Sequence, residues 1–363
     1  MNVFRKPQRT IWYNAHSACV EIIDQTKLPH SFETLALSSI DDFCVAIKKM
    51  QVRGAPLVGI TAAYGLALGL RDNDSTEAEQ HLYSLLMATR PTAVNLRWAL
   101  DRVCFHISSG KRGKRAAKAL KFCHLLADQD VDICESIGVN GLEVLQQLSA
   151  VRNASPLNIL THCNAGWLAT VDWGTALAPI YKAHDSGISV HVWVDETRPR
   201  NQGNLTAWEL SQQGVPHTLI TDNTGGLLMQ QGRVDCCIVG SDRTTAAGDV
   251  CNKVGTYLKA LAAYEHNIPF YVALPSSTVD WTIVDSRAIP IEERSEGELR
   301  YVEGWSEERQ NIETVRVGLD NGTAYNPAFD ITPSKLVTGL ITEYGCYNAN
   351  AEALSELKKK LNH

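Results

Sequence analysis

The chain has 363 residues, 44% of them hydrophobic and 20% charged, which is length enough for one large or two ordinary globular units. Its formal net charge of −6 supplies no general basic field, which argues against nucleic acid as a partner. The longest apolar-leaning stretch, residues 55–70, is broken by Gly59, Thr61, Tyr64, Gly65 and Gly69 and falls short of the roughly 18 residues a membrane span needs, so no membrane partner is expected.

The first ten residues are polar, with Arg5, Lys6 and Arg9, and lack the apolar run of a secretory signal. A short extended start is followed by helical patterns. Ser39 is placed to cap a helix running from about residue 40 to 50. Pro56 opens a buried helix over 57–70, where its missing N–H costs little. Further helices are expected over 76–88, 92–108, 115–129 and 131–148. The last shows Ile133, Ile137, Leu142, Val144 and Leu145 near a 3.6 period. The basic residues 111–115 read as a solvated loop or helix start.

From about residue 150 the rhythm changes. Short apolar runs over 158–161, 188–194, 217–221, 236–239 and 269–274 alternate with helix-length segments over 205–213, 224–231 and 256–266. Near-continuous apolar strands separated by helices argue for a mostly parallel sheet covered on both faces. The charged stretch 285–330 reads as an ordered excursion over that sheet. Thr332 and Pro333 carry the signature of one more helix start. The fold class is therefore α/β, with a mainly helical domain over 1–145 and a parallel-sheet domain over 146–363.

Ten cysteines are present without a Cys-x-x-Cys pair. Adjacent Cys236 and Cys237 point to opposite faces of a strand and make poor joint metal ligands. The cysteines are expected as reduced, buried thiols in a cytoplasmic protein.

Ligands of open α/β sheets collect at the carboxyl ends of strands. Cys163 follows the first such strand inside Thr161-His162-Cys163-Asn164-Ala165-Gly166. Backbone N–H groups and a helix dipole there would lower its thiol pKa and make it a base or nucleophile. The local sequence fits a small buried cysteine as well. Asp242 follows another strand, in Gly240-Ser241-Asp242-Arg243. A desolvated carboxyl at that place would hold a proton near neutral pH. A helix cap or an ion pair with Arg243 fits equally well.

Asn252 and Lys253 lie in a glycine-flanked loop that matches neither a nucleotide-binding P-loop nor a dinucleotide fingerprint. Arg53-Gly54-Ala55-Pro56 and Arg90-Pro91-Thr92 each join an arginine to a helix start, a pairing suited to phosphate. These belong to the first unit and Cys163 and Asp242 to the second, which favours a site between them. Glu196, Arg198 and Gln202 follow the strand over 188–194 and are candidates for the same cleft edge or for a structural ion-pair network.

Taken together, these segments resemble the methylthioribose-1-phosphate isomerases, within the superfamily of translation-initiation guanine-exchange factor regulatory subunits. The likeness spans nearly the whole chain, through Arg53–Pro56, Arg90–Leu96, Cys163–Gly166, Glu196–Pro199, Gly240–Arg243, Asn252–Tyr257 and Asn326–Pro333. It implies a Rossmann-like second domain and a homodimer. It implies conversion of 5-methylthio-α-D-ribose 1-phosphate to 5-methylthio-D-ribulose 1-phosphate in methionine salvage, without cofactor or metal. By the same resemblance Cys163 and Asp242 are the catalytic pair. Arg53, Gly54, Ala55, Arg90, Gln202, Asn252 and Lys253 are the substrate binders.

Two departures stand out. Ser241 replaces the usual alanine, and Arg200-Asn201 precede Gln202, a change expected to reshape the pocket near the sugar's 5-substituent. Isomerases of 5-deoxyribose 1-phosphate or ribose 1,5-bisphosphate, and a noncatalytic translation-factor subunit, are the alternatives. For the isomerase, Asp242 is expected to protonate the ring oxygen. Cys163 thiolate is then expected to take the C2 proton through an enediol, with a direct hydride shift as the rival route.

Overall fold

The computed structural model describes residues 1–91, 93–152 and 156–361. The chain opens with more strand than its sequence suggests. The hairpin β1 (Asn2–Val3) and β2 (Lys6–Pro7) precedes a three-stranded antiparallel sheet of β3 (Ile11–Asn14), β4 (Cys19–Ile23) and β5 (Thr34–Leu37). Five helices follow: α1 (Ile40–Lys48), α2 (Ala55–Gly69), α3 (Thr76–Met87), α4 (Val94–Ile107) and α5 (Arg115–Arg152). The expected helix start at Thr92 lies outside the described residues, and Ala93 caps α4.

Ser39 caps α1 as expected. Its hydroxyl accepts the Asp42 N–H while the Asp42 carboxylate accepts the Ser39 N–H, a reciprocal capping box. The two helices expected over 115–129 and 131–148 are one. Nothing between them breaks the backbone, and buried Asp130 inside α5 accepts the Val171 N–H at 2.7 Å. The front of α5 packs Ala119, Cys123 and Leu126 into the first core, beneath α2 and α4. Its rear packs Ile137 and Leu145 into the core under the parallel sheet. Gly141 lets α6 (Ala178–Asp185) press close, because a Cβ there would sit 2.3 Å from Pro179 Cγ.

The second half contains β6 (Leu157–Thr161), α6, β7 (Val190–Asp195), α7 (Gly203–Gln212), β8 (His217–Ile220), α8 (Thr224–Gln230) and β9 (Cys236–Val239). Then come β10 (Arg243–Thr245), β11 (Val250–Lys253), α9 (Thr256–Glu265), β12 (Phe270–Ala273) and β13 (Val279–Asp280). The excursion over 285–330 holds the short α10 (Gly297–Arg300) and an antiparallel hairpin, β14 (Tyr301–Ser306) and β15 (Asn311–Arg316). It is followed by β16 (Phe329–Thr332), β17 (Gly339–Thr342), β18 (Gly345–Tyr347) and α11 (Ala351–Leu361).

The main sheet runs β18-β17-β12-β9-β6-β7-β8 and is parallel except at β18. The expected parallel sheet is thus present, on a mainly helical first part. The chain winds outward from β6 through β7 to β8, then returns to β9 and winds the other way. The switch point of the sheet lies between β6 and β9. A smaller sheet, β13-β10-β11-β16, projects beyond the carboxyl ends of the main strands.

The helix expected at Thr332-Pro333 is absent. Thr332 ends β16, paired with Val250, and only a three-residue turn, Ser334–Leu336, follows. A residue before proline favours extended backbone, and β11 offers it a partner. The basic run is a loop over 111–114 that leads into α5 at Arg115, its one buried residue, bonded to Glu79 and to the Asp74 carbonyl. None of the ten cysteines is bridged, but Cys44, Cys104 and Cys163 are half-buried and Cys346 is exposed rather than buried.

Candidate active site

Cys163 and Asp242 leave the sheet at its switch point. Adjacent β6 and β9 deliver them to one cavity of about 880 Å3, including its mouth. All nine residues expected at the site line it: Cys163, Asp242, Arg53, Gly54, Ala55, Arg90, Gln202, Asn252 and Lys253. Glu196 and Arg198 do not. Arg198 turns away and donates Nη2 to the Leu299 carbonyl at 3.2 Å.

The Cys163 turn is held in a left-handed conformation, φ 68°. Its N–H donates to Thr197 Oγ1 at 2.9 Å, and its carbonyl accepts the Thr206 hydroxyl at 2.8 Å. Below it lies a carboxylate that sequence reasoning missed. Buried Glu209 accepts Asn164 Nδ2 at 2.9 Å, the N–H groups of Trp167 and Leu168 at 2.9 and 3.0 Å, and the Tyr181 hydroxyl at 2.9 Å. Burial pushes its pKa up to about 7 against those four donors.

His162, beside Cys163, was also missed. Its Nδ1 lies 2.9 Å from Asp195 Oδ2, and its Nε2 lies 2.9 Å from the Val254 carbonyl. Lys259 Nζ reaches the same Asp195 oxygen at 3.1 Å. The imidazole thereby ties the Cys163 turn to the loop carrying Lys253. Among the described residues, His162, Asp195 and Asp222 form the one group close enough to hold a metal ion. Both imidazole nitrogens and Asp195 Oδ2 already have protein partners there, while Asp195 Oδ1 is buried without one. Each missed residue is a polar group read locally as ordinary; only the fold brings it under the turn.

Arg53, Gly54 and Ala55 enter from the helical half. Gly54 caps α2 with φ 85° and no side-chain cap, and the helix start, Gly54, Ala55 and Pro56, lines the cavity with Pro56 offering no N–H. A Cβ on Gly54 would stand 2.2 Å from the Ala169 carbonyl oxygen, so the two halves meet backbone to backbone. Arg90 Nε lies 3.5 Å from Glu292, an ion pair with the excursion. Asn252 donates to Thr256 Oγ1 at 3.0 Å, and the Lys253 ammonium lies 5.7 Å from the Phe329 ring centroid. Three further lining residues, Arg200, Arg294 and Glu298, form ion pairs: Glu298 Oε1 takes Arg200 at 3.0 Å and Arg294 at 2.8 Å.

Desolvation governs the charges. It raises the Asp242 pKa above the ordinary carboxylate value, against Arg90 and Lys253, with Glu292 adding to the rise. Asp242 thus holds its proton to higher pH, as expected of an acid. It is not paired with Arg243, which reaches Asp280 at 3.5 Å. Burial also lowers Lys253. The expectation for Cys163 fails in sign. Burial pushes its thiol up to about 11, although Lys253, Arg53 and the Asn164 N–H pull the other way. No helix of eight or more residues begins at this turn, only the 3-10 turn Trp167–Ala169, so the expected helix dipole is weak.

Comparison with known proteins fits this architecture. The model of the initiation factor 2 subunit family matches residues 51–349. That match defines the class: an α/β chain built on the initiation-factor subunit fold, with a cation-lined cavity at the switch point of its sheet.

Methylthioribose-1-phosphate isomerase of Escherichia coli O45:K1 is 54% identical over 98% of this chain and 96% of its own length. That of Methylocella silvestris is 56% identical over 98% of both. The solved 5-methylthioribose 1-phosphate isomerase from Pyrococcus horikoshii OT3 superposes with a TM-score of 0.82 at 38% identity, covering 98% of this chain and 97% of that one. A translation initiation factor eIF-2B delta subunit from A. fulgidus superposes with a TM-score of 0.78 at 38% identity, covering 96% and 100%. The chain belongs to the methylthioribose-1-phosphate isomerase family.

Proposed function

We infer that this cavity converts 5-methylthioribose 1-phosphate to 5-methylthioribulose 1-phosphate, a step of methionine salvage. The observation that carries the reading is the convergence of Cys163 and Asp242 at one switch point, inside a cavity rimmed by Arg53, Arg90 and Lys253.

The substrate sets the chemical problem. Its C1 oxygen carries phosphate, so the ring cannot open by simple loss of a hydroxyl proton. Protonated Asp242 gives its proton to the ring oxygen as the C1–O bond breaks. C1 then becomes electron-poor. The hydrogen on C2 moves to C1 with its electron pair, the C2 hydroxyl becomes a carbonyl, and its proton returns to the Asp242 carboxylate.

A thiol near 11 is ionised in roughly one molecule in ten thousand at pH 7. That favours the direct shift over the enediol route, with Cys163 sheltering the reacting carbons as a neutral thiol. Arg53, Gly54, Ala55, Arg90, Gln202, Asn252 and Lys253 are the proposed substrate binders, fixing geometry by charge and backbone N–H groups.

The reading extends to two units, 1–145 and 146–363, that meet at the cavity, with α5 running through both cores. It extends to a cytoplasmic homodimer. Among the described residues no helix is long and apolar enough to cross a membrane. Exposed apolar Leu219, Leu227, Leu258, Leu261 and Tyr264, on β8, α8 and α9, support the dimer reading. Sedimentation of the purified chain, compared with Leu258→Glu, tests the dimer.

Turnover of 5-methylthioribose 1-phosphate, 5-deoxyribose 1-phosphate and ribose 1,5-bisphosphate by the purified chain tests the reaction. The methylthio substrate is expected to give the highest kcat/KM. No turnover of any of the three would sink the isomerase reading.

A further inference from the structure

Arg200 carries an arrangement that a structural role does not exhaust. It lines the active-site cavity and also the neighbouring cavity between the 26–30 loop and the β14–β15 hairpin. Arg53 and Glu298 line both as well, so the three side chains form the shared wall.

The wall carries unmet hydrogen-bonding capacity. Arg53 gives Nη2 to the Gln25 carbonyl at 3.1 Å, and Arg200 gives Nη1 to Glu298 at 3.0 Å. The Nε of each is buried without a partner, as is Oε1 of Gln202 beside them. Buried donors left unpaired in a native protein call for an explanation, and a ligand is one. The carboxylate that Arg200 meets is shared with other donors. Glu298 Oε1 is shared with Arg294, and its Oε2 accepts Asn326 Nδ2 at 3.2 Å.

We propose that Arg200 is a substrate-binding residue, which forms with Arg53 a guanidinium fork for the phosphate dianion. The proposal rests on the sugar-phosphate reading of the cavity. Two guanidinium groups on one wall repel each other, and Arg200 is, after burial, the largest influence lowering the Arg53 pKa, to about 10. A dianion between them removes that repulsion and satisfies both free Nε–H groups. Gly54 and Ala55, at the start of α2, line the same cavity as the fork. Arg200 thus joins the phosphate grip, rather than the 5-substituent end of the pocket where its sequence position suggested a role.

The rival is that Arg200 only ties the 285–330 excursion to the β7 loop through Glu298. The variants Arg200→Leu and Glu298→Gln separate the two, read by calorimetry with inorganic phosphate and by KM for 5-methylthioribose 1-phosphate. Both variants weaken the tie, the second by removing its charge, but only the first removes the fork. Arg200→Leu is expected to weaken phosphate binding and raise KM by about tenfold or more, the scale of a charge-assisted hydrogen bond. Glu298→Gln is expected to leave phosphate binding as strong or tighter, because it releases the guanidinium, and Arg200→Lys is expected to recover part of the loss. Equal losses in Arg200→Leu and Glu298→Gln, or no loss in Arg200→Leu, would overturn the proposal. If the wild-type chain binds phosphate through Arg200 yet turns over no sugar phosphate, the fork stands and the reaction assigned to the cavity falls.

Discussion

The two walls of the cavity are built differently. Cys163 and Asp242 stand just past the ends of adjacent strands of one parallel sheet, positioned by the β6–β9 ladder and by the Glu209 and His162 bonds beneath the Cys163 turn. Arg53, Arg90 and Arg200 arrive from a helix start and two loops, and two of them are balanced by glutamates of the excursion. The sheet wall is a place where desolvation decides: it raises both the thiol and the carboxyl. The loop wall gathers like charge: Arg53, its pKa lowered first by burial and then by Arg200, stands with Arg90 and Arg200 on one side of the cavity. Hydrogen transfer profits from the first and phosphate binding from the second, so damage to either wall should leave a different kinetic mark.

The largest expected effect falls on the sheet wall. Asp242→Asn keeps the shape but removes the transferable proton, and kcat should fall by about 10²–10⁴-fold with KM little changed. Steady-state kinetics on 5-methylthioribose 1-phosphate checks this, and a loss confined to KM would dissolve the distinction between the walls.

Gly54→Ala attacks the seam where the halves meet. The positive φ and the Ala169 carbonyl 2.2 Å from the new Cβ should cost about 2 kcal/mol or more of stability, seen as a lower melting temperature, and should raise KM. Glu209→Ala would leave the Trp167 and Leu168 N–H groups and the Tyr181 hydroxyl without this acceptor and Asn164 with Thr206 alone, with a loss on the order of 2–3 kcal/mol in denaturant unfolding.

A smaller effect is one of pH. Asp242 acts protonated, so kcat/KM should fall as pH rises through its raised pKa. Glu292 helps to raise that pKa, so Glu292→Gln should move the falling limb to lower pH. Lys253 opposes it, so Lys253→Met should move the limb to higher pH. Limbs that stay in place would show that Asp242 is not the titrating acid. The smallest effect lies far from both walls. Ser39→Ala removes one half of the α1 capping box and should cost about 1 kcal/mol of stability with no change in kinetics.

Much of this was legible in the sequence, for reasons that differ between the walls. The parallel strands announce themselves as apolar runs ending in small or polar residues, and the carboxyl-end rule then points at Cys163 and Asp242. The phosphate loops are legible as arginine-plus-helix-start patterns. What could not be read is what depends on environment. The thiol pKa had the wrong sign because burial outweighs Lys253 and Arg53, and burial is a property of the assembled cavity. Glu209 sits forty-six residues after Cys163 and looks like an ordinary helix glutamate until α7 is laid beneath the turn. The Thr332-Pro333 signal reads as a helix start because its strand partner, β11, lies some eighty residues away.

The family fold alone does not choose between the two kinds of relative that superpose on it at 38% identity, one an isomerase and one described as a translation factor subunit. Identity does the choosing, with isomerases 54% and 56% identical over 98% of this chain, and on the sheet wall burial raises both the Asp242 carboxyl and the Cys163 thiol. Substrate deuterated at C2 tests that wall most directly. The account predicts 5-methylthioribulose 1-phosphate that retains the deuterium at C1, because the hydrogen passes directly between carbons in a dry cleft. Ketose formed with that deuterium lost to water would contradict the neutral-thiol route, and no ketose at all would contradict the isomerase itself.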